Sequence, residues 1–66
     1  MKADRVEVSW DETKSKWLVR IVVGEEVIRR YSSEAKDSGA QQLSSSAIRI
    51  ALDEGYQVDP ADVVVR

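Results

Sequence analysis

The first third of the chain alternates between apolar and polar residues in two runs that flank a polar loop at 11–16. The apolar sets are Val6, Val8 and Trp10 before the loop and Trp17, Val19, Ile21 and Val23 after it. A period of two places every second side chain on the same face of a strand. Pairing Trp10 with Trp17 therefore predicts an antiparallel hairpin with one apolar face. A slip of one residue would turn one of the apolar sets away from that face.

A third extended run at 27–31 follows a turn that begins at Gly24. A two-residue type II′ turn, Gly24-Glu25, would place Ile28 on the tryptophan face. A three-residue loop would instead place Val27 and Tyr31 there. The larger apolar area of those two residues slightly favours the three-residue loop, and both registers stay open at this stage.

After Tyr31 the apolar spacing changes from two to the spacing of a helix, with apolar residues at Ala40, Leu43, Ala47, Ile50 and Ala51. This spacing predicts a helix over about 38–54. Ser38-Gly39-Ala40-Gln41 fits a capping box at its start, and Gly55 fits the glycine position that ends many helices.

The last apolar run, Val63-Val64-Val65, predicts a short strand. Its partner stays open among the first strand, the third strand and another chain. The elements together indicate one α+β domain over 1–66 with the order β-β-β-α-β. We expect a small, mainly antiparallel sheet of three or four strands, with one helix packed on one face.

The composition argues against several kinds of chemistry. The chain has no cysteine and no histidine, so it can form neither a disulfide nor the usual nucleophile–base pairs of covalent catalysis. Its acidic pairs lie at predicted turns and its glycines are isolated. We therefore expect a protein that is not an enzyme and has no cofactor or metal site. Without an apolar run of about 20 residues or an apolar N-terminal segment, the default location is the cytoplasm, away from membranes.

The face opposite the tryptophans is the candidate binding face. Arg20 has an arginine directly across on the third strand, Arg29 with the two-residue turn or Arg30 with the three-residue loop. Like charges directly opposite are destabilising, whereas paired guanidinium groups suit phosphate or carboxylate. The simpler interpretation is a solvated face on which Glu7 offsets one arginine.

Four apolar residues form a candidate interaction strip: Leu18, Val22, Ile48 and Leu52. The first two share the arginine face, and the last two are four residues apart on one side of the helix. The leading hypothesis is therefore a small protein-interaction or assembly module that self-associates, for example as a homodimer, or docks a protein partner. For the helical pair, the simpler interpretation is a contact with the last strand.

A family resemblance supports the alternative, nucleic-acid binding. Its residues are Ser15-Lys16-Trp17-Leu18-Val19-Arg20-Ile21, Gly24, Arg30-Tyr31-Ser32 and Glu34-Ala35. This pattern, over roughly 15–52, resembles the AP2-like N-terminal DNA-binding domain of tyrosine integrases and small uncharacterised bacterial domains of the same pattern. The resemblance implies a three-stranded sheet that enters the major groove, with Arg20, Arg29 and Arg30 facing DNA. The net charge of −2 and the acidic turn place this function second, because DNA-binding modules usually carry a basic excess.

Overall fold

The computed structural model describes all residues from 1 to 66 and has the β-β-β-α-β order of an α+β fold. Its elements are β1 (Arg5–Asp11), β2 (Lys16–Val23), β3 (Glu26–Ser32), α1 (Ala40–Asp53), a 3₁₀ turn (Pro60–Asp62) and β4 (Val63–Val65). The four strands form one sheet in the order β3-β2-β1-β4. The predicted fold class is therefore confirmed.

The β1–β2 hairpin has the register that the alternating pattern predicts. Trp10 lies opposite Trp17, Val8 opposite Val19 and Val6 opposite Ile21. The two indole rings meet edge to face, with centroids 5.4 Å apart and planes at 74°, an arrangement that aromatic pairs prefer. In addition, the Trp17 Nε1 group donates a hydrogen bond of 2.8 Å to the Ala35 carbonyl oxygen. This bond fastens the loop after β3 to the sheet.

The connection from β2 to β3 corrects the favoured register. Val23 lies opposite Glu26 and Ile21 opposite Ile28, so the turn has two residues and the preference for a three-residue loop is wrong. Gly24 has φ +59°, whereas Glu25 does not have a positive φ, because Ser15 is the one non-glycine residue that does. A type II′ turn at Gly24-Glu25 requires a positive φ at its first central residue only. The stability of the unstrained two-residue turn outweighs the stability that burial of Val27 and Tyr31 against α1 would add. These two residues therefore lie on the face away from α1.

Helix α1 starts later than predicted and ends where predicted. Its N-cap is Gly39, which has no side-chain cap, so the capping box at Ser38 is wrong. Ser38 instead closes the preceding turn, where its N–H donates to the Ala35 carbonyl oxygen. At the other end, Gly55 has φ +91° and the Tyr56 N–H donates to the Ala51 carbonyl oxygen at 2.9 Å. This 6→1 bond is typical of a glycine-terminated helix.

The core lies between α1 and the tryptophan face of the sheet. The helix contributes Leu43, Ala47 and Ala51, and the two alanines allow its backbone to approach the sheet closely. The full buried apolar cluster consists of Ala3, Val6, Val8, Trp17, Val19, Ile21, Leu43, Ala47, Ala51 and Val58. Strand β4 extends this layer by pairing parallel to β1, with Val63 opposite Val6 and Val65 opposite Val8. The partner of β4 is therefore β1, and the sheet contains both antiparallel and parallel strand pairs.

Replacing Trp17 with alanine is expected to lower the free energy of unfolding by about 3–5 kcal/mol, because the buried ring fills the end of the core. Trp17→Phe keeps most of the ring and removes the Nε1 donor, so it should cost less, about 1 kcal/mol from the hydrogen bond plus a smaller packing loss. Urea denaturation followed by circular dichroism measures both. If Trp17→Ala unfolds at the same urea concentration as the parent, the packing described here is wrong.

Candidate functional site

Helix α1 covers one face of the sheet, and the opposite face, here called the open face, has no helix on it. The alternation of the strands assigns to the open face Arg5, Glu7, Ser9, Asp11, Lys16, Leu18, Arg20, Val22, Val27, Arg29, Tyr31, Val64 and, next to β4, Arg66. Five of these side chains are basic and two are acidic, a formal charge of +3. Because the whole chain has a net charge of −2, its remaining residues together carry −5.

Glu7 is the centre of the charged network on the open face. Its carboxylate lies 3.4 Å from Arg5 Nε, 3.5 Å from Arg20 Nη1 and 3.2 Å from Arg66 Nη2. The Glu7 side chain is only 13% exposed, whereas the three arginine side chains are 37–63% exposed. One carboxylate therefore holds three guanidinium groups in place and balances the charge of one.

Arg29 adds a fourth guanidinium that no carboxylate balances. It lies directly opposite Arg20 across the β2–β3 ladder, where side chains are about 5 Å apart at Cβ. Arg29 makes no ion pair, and the buried Nε of Arg20 has no hydrogen-bond partner. The pair thus has unused hydrogen-bonding capacity, and although Glu7 lies 3.5 Å from Arg20, no carboxylate in the chain neutralises Arg29.

Tyr31 provides an aromatic surface beside the arginines. It lies opposite Leu18, is 43% exposed, and its hydroxyl donates a hydrogen bond of 3.1 Å to Asp11 Oδ2. Desolvation against the sheet, the hydrogen bond to Asp11 and the charge of Asp11 raise the pKa of Tyr31 above its ordinary value, while Arg29 lowers it. The phenol therefore stays neutral at physiological pH and adds no negative charge to the open face.

The structure separates the three arginines that the sequence grouped together. Arg20 and Arg29 share the open face, but Arg30 points to the α1 side, where its Nη2 lies 2.7 Å from Glu54 Oε1. The two-residue turn is the reason, since it fixes which arginine of β3 lies opposite Arg20. The structure also adds Arg66, which sequence reasoning missed because the partner of β4 was not known.

The candidate interaction strip is divided between two surfaces. Leu18 and Val22 lie on the open face, where Leu18 is half-buried and Val22 is buried. Ile48 packs against the core, whereas Leu52 is 54% exposed. Leu52 is therefore the member of the strip that is most available for contacts outside the chain.

Replacing Arg29 with glutamate is expected to raise the free energy of unfolding by about 0.2–1 kcal/mol, because an opposite-charge pair with Arg20 replaces the repulsion. Arg49→Glu is the matched control, since Arg49 is exposed on α1 and makes no ion pair. Urea denaturation at low salt should show a gain for Arg29→Glu alone, and high salt should reduce it. Equal stability of the two variants would contradict the repulsion.

The rest of the surface has few other features that suggest chemistry. It has no cavity and no group of three or more potential metal-binding side chains. Its one α-helix is too short and too polar to span a bilayer. Comparisons with protein-family models, curated proteins and solved structures give no match for this chain.

Proposed function

We propose that this chain is a small, non-enzymatic protein-interaction module that binds an acidic surface of a partner protein through its open face. The observation that carries the proposal is the group of three arginines around Glu7, with the unpaired Arg29 beside Arg20, on the uncovered face of an acidic chain. Arginine and tyrosine are the residue types that, with tryptophan, contribute most often to binding energy at protein interfaces.

The charge distribution supports a partner with a local acidic patch. The open face carries +3 and the remaining residues carry −5, so an acidic patch is attracted to the open face and repelled by the rest of the chain as a whole. Complementary potentials of this kind orient a partner and raise its association rate. Two copies joined open face to open face would oppose two positive surfaces, so a different protein is the better occupant.

The Arg20–Arg29 pair gives this binding a specific driving force. Each guanidinium group can donate two parallel hydrogen bonds to a carboxylate. A carboxylate that enters between the two side chains would therefore replace a repulsion with two charge-assisted contacts. Around this point, exposed parts of Leu18, Tyr31 and Val64 offer apolar area that a partner would cover.

Nucleic-acid binding is the second candidate function, and a specific observation favours it. Arg20 and Arg29 stand side by side on a sheet next to exposed Tyr31, an arrangement suited to phosphate contacts and base stacking. A long polyanion would, however, also meet the charge of −5 on the rest of the chain. A protein partner with a confined acidic patch avoids that repulsion and is therefore the first candidate.

Fluorescence anisotropy with two labelled probes tests both functions. The probes are an acidic peptide of alternating Glu and Leu and a short random-sequence DNA duplex, titrated at the same salt concentration. We expect the peptide to bind more tightly than the duplex. Arg29→Glu should weaken peptide binding about tenfold, the equivalent of about 1.4 kcal/mol, while Arg49→Glu should bind like the parent.

Each other result has a definite meaning. If the Arg29→Glu variant binds the peptide as well as the parent does, the open face is not the binding surface. If the duplex binds more tightly than the peptide, with an affinity that falls steeply with salt and is lost in Arg29→Glu, the nucleic-acid function replaces the protein-interaction function. If neither probe binds, both functions are contradicted.

A further inference from the structure

Strand β4 is an edge of the sheet with one unpaired side. It hydrogen-bonds to β1, and no strand lies beyond it in the order β3-β2-β1-β4. The outer edge of a strand presents free backbone N–H and C=O groups, which natural proteins often protect with charged residues or proline. The other edge strand, β3, carries Arg29 and Arg30, whereas β4 consists of three valines.

The sequence around β4 is complementary to itself in the antiparallel direction. It reads Asp62-Val63-Val64-Val65-Arg66. When two copies pair about Val64, each Val63 lies opposite Val65 of the other copy, and Asp62, the last residue of the 3₁₀ turn, comes close to Arg66 of the other copy at each end of the contact. Opposite charges that face each other across an antiparallel pair are stabilising. Asp62 makes no ion pair within the chain, and the Arg66 side chain, which lies 3.2 Å from Glu7, remains 63% exposed.

The exposed leucine of α1, Leu52, lies on the side of the helix away from β3. Ser46 contacts Ser32 of β3 and Glu54 contacts Arg30 of β3, so their side of the helix faces β3. Ile48 and Leu52 lie on the other side of the helix, away from β3, with Ile48 packed against the core and Leu52 turned further out into solvent. Leu52 is therefore exposed on the side of the helix away from β3, where a neighbouring copy could cover it.

We infer that two copies of this chain associate by antiparallel pairing of β4, which joins two four-stranded sheets into one of eight strands. The pairing is symmetric about a two-fold axis through Val64, so each copy uses the same surface. Both helices then lie on one side of the joined sheet with their Leu52 sides facing each other, and both open faces lie on the other side. The pairing uses the edge of the sheet and leaves Arg20, Arg29 and Tyr31 on the open face free, although Arg66, which lies 3.2 Å from Glu7, belongs to both surfaces.

The contact is expected to be weak because it consists of a short strand pair and one leucine on each side. Its area falls below that of standard stable interfaces, so the dimer should form at high protein concentration and dissociate on dilution. Because the contact is symmetric, one charge-reversing substitution changes the charged pair at both of its ends. It turns two attractions into two repulsions and should weaken dimerisation strongly.

Sedimentation velocity over a concentration series, with two charge variants, tests the inference. Asp62→Arg and Arg66→Asp each place like charges opposite one another in the pair, so each should dimerise about tenfold more weakly than the parent, the equivalent of about 1.4 kcal/mol. An equimolar mixture of the two variants restores opposite charges at both positions and should recover a dimer. Circular dichroism confirms that each variant is folded.

The mixture separates pairing through β4 from a general effect of the substitutions. A parent protein that stays monomeric at every concentration would overturn the inference. So would a dimer that both variants form as readily as the parent, or single variants that fail to dimerise and whose mixture also stays monomeric.

Discussion

The structure depends on the register between β1 and β2, which the contact of Trp10 with Trp17 marks. Because side chains alternate between the two faces of a sheet, this register decides at once which residues form the core and which form the open face. A shift by one residue in β2 would bring Arg20 under α1 and expose Val19 and Ile21, which are buried in the native register. The register that buries the apolar residues in the core thus also places the charged residues of the same strands together on the open face.

The turn at Gly24 extends the same constraint to β3. A glycine that adopts φ +59° allows two residues to reverse the chain, and this sets Arg29 against Arg20. The pairing costs the isolated domain some stability, since like charges across a ladder repel. Under the proposed function, an anionic partner that binds between the two arginines would offset this cost.

The sequence could predict those features that depend on local pattern. Alternation fixed the β1–β2 register, helical spacing located α1, and Gly55 marked its end. The sequence could not decide between the two turns before β3. The area that Val27 and Tyr31 or Ile28 would bury depends on how far α1 covers the sheet, and the sequence does not give that extent. The error at Ser38 has a local origin, since the turn in which the Ser38 N–H donates to the Ala35 carbonyl oxygen competes with the capping box. Arg66 was missed because the partner of a three-residue strand depends on the crossover through α1, which no local pattern encodes.

The most direct test of the central claim, that the open face is the binding surface, is an NMR titration of the ¹⁵N-labelled chain with the acidic Glu-Leu peptide. The account predicts that the signals that shift belong to Arg20, Arg29 and Tyr31 on the open face. The Nε–H signal of Arg20, which has no partner in the free chain, should be among them, while the signals of Arg49 on α1 stay in place. Shifts confined to α1, or spread evenly over the molecule, would contradict the account.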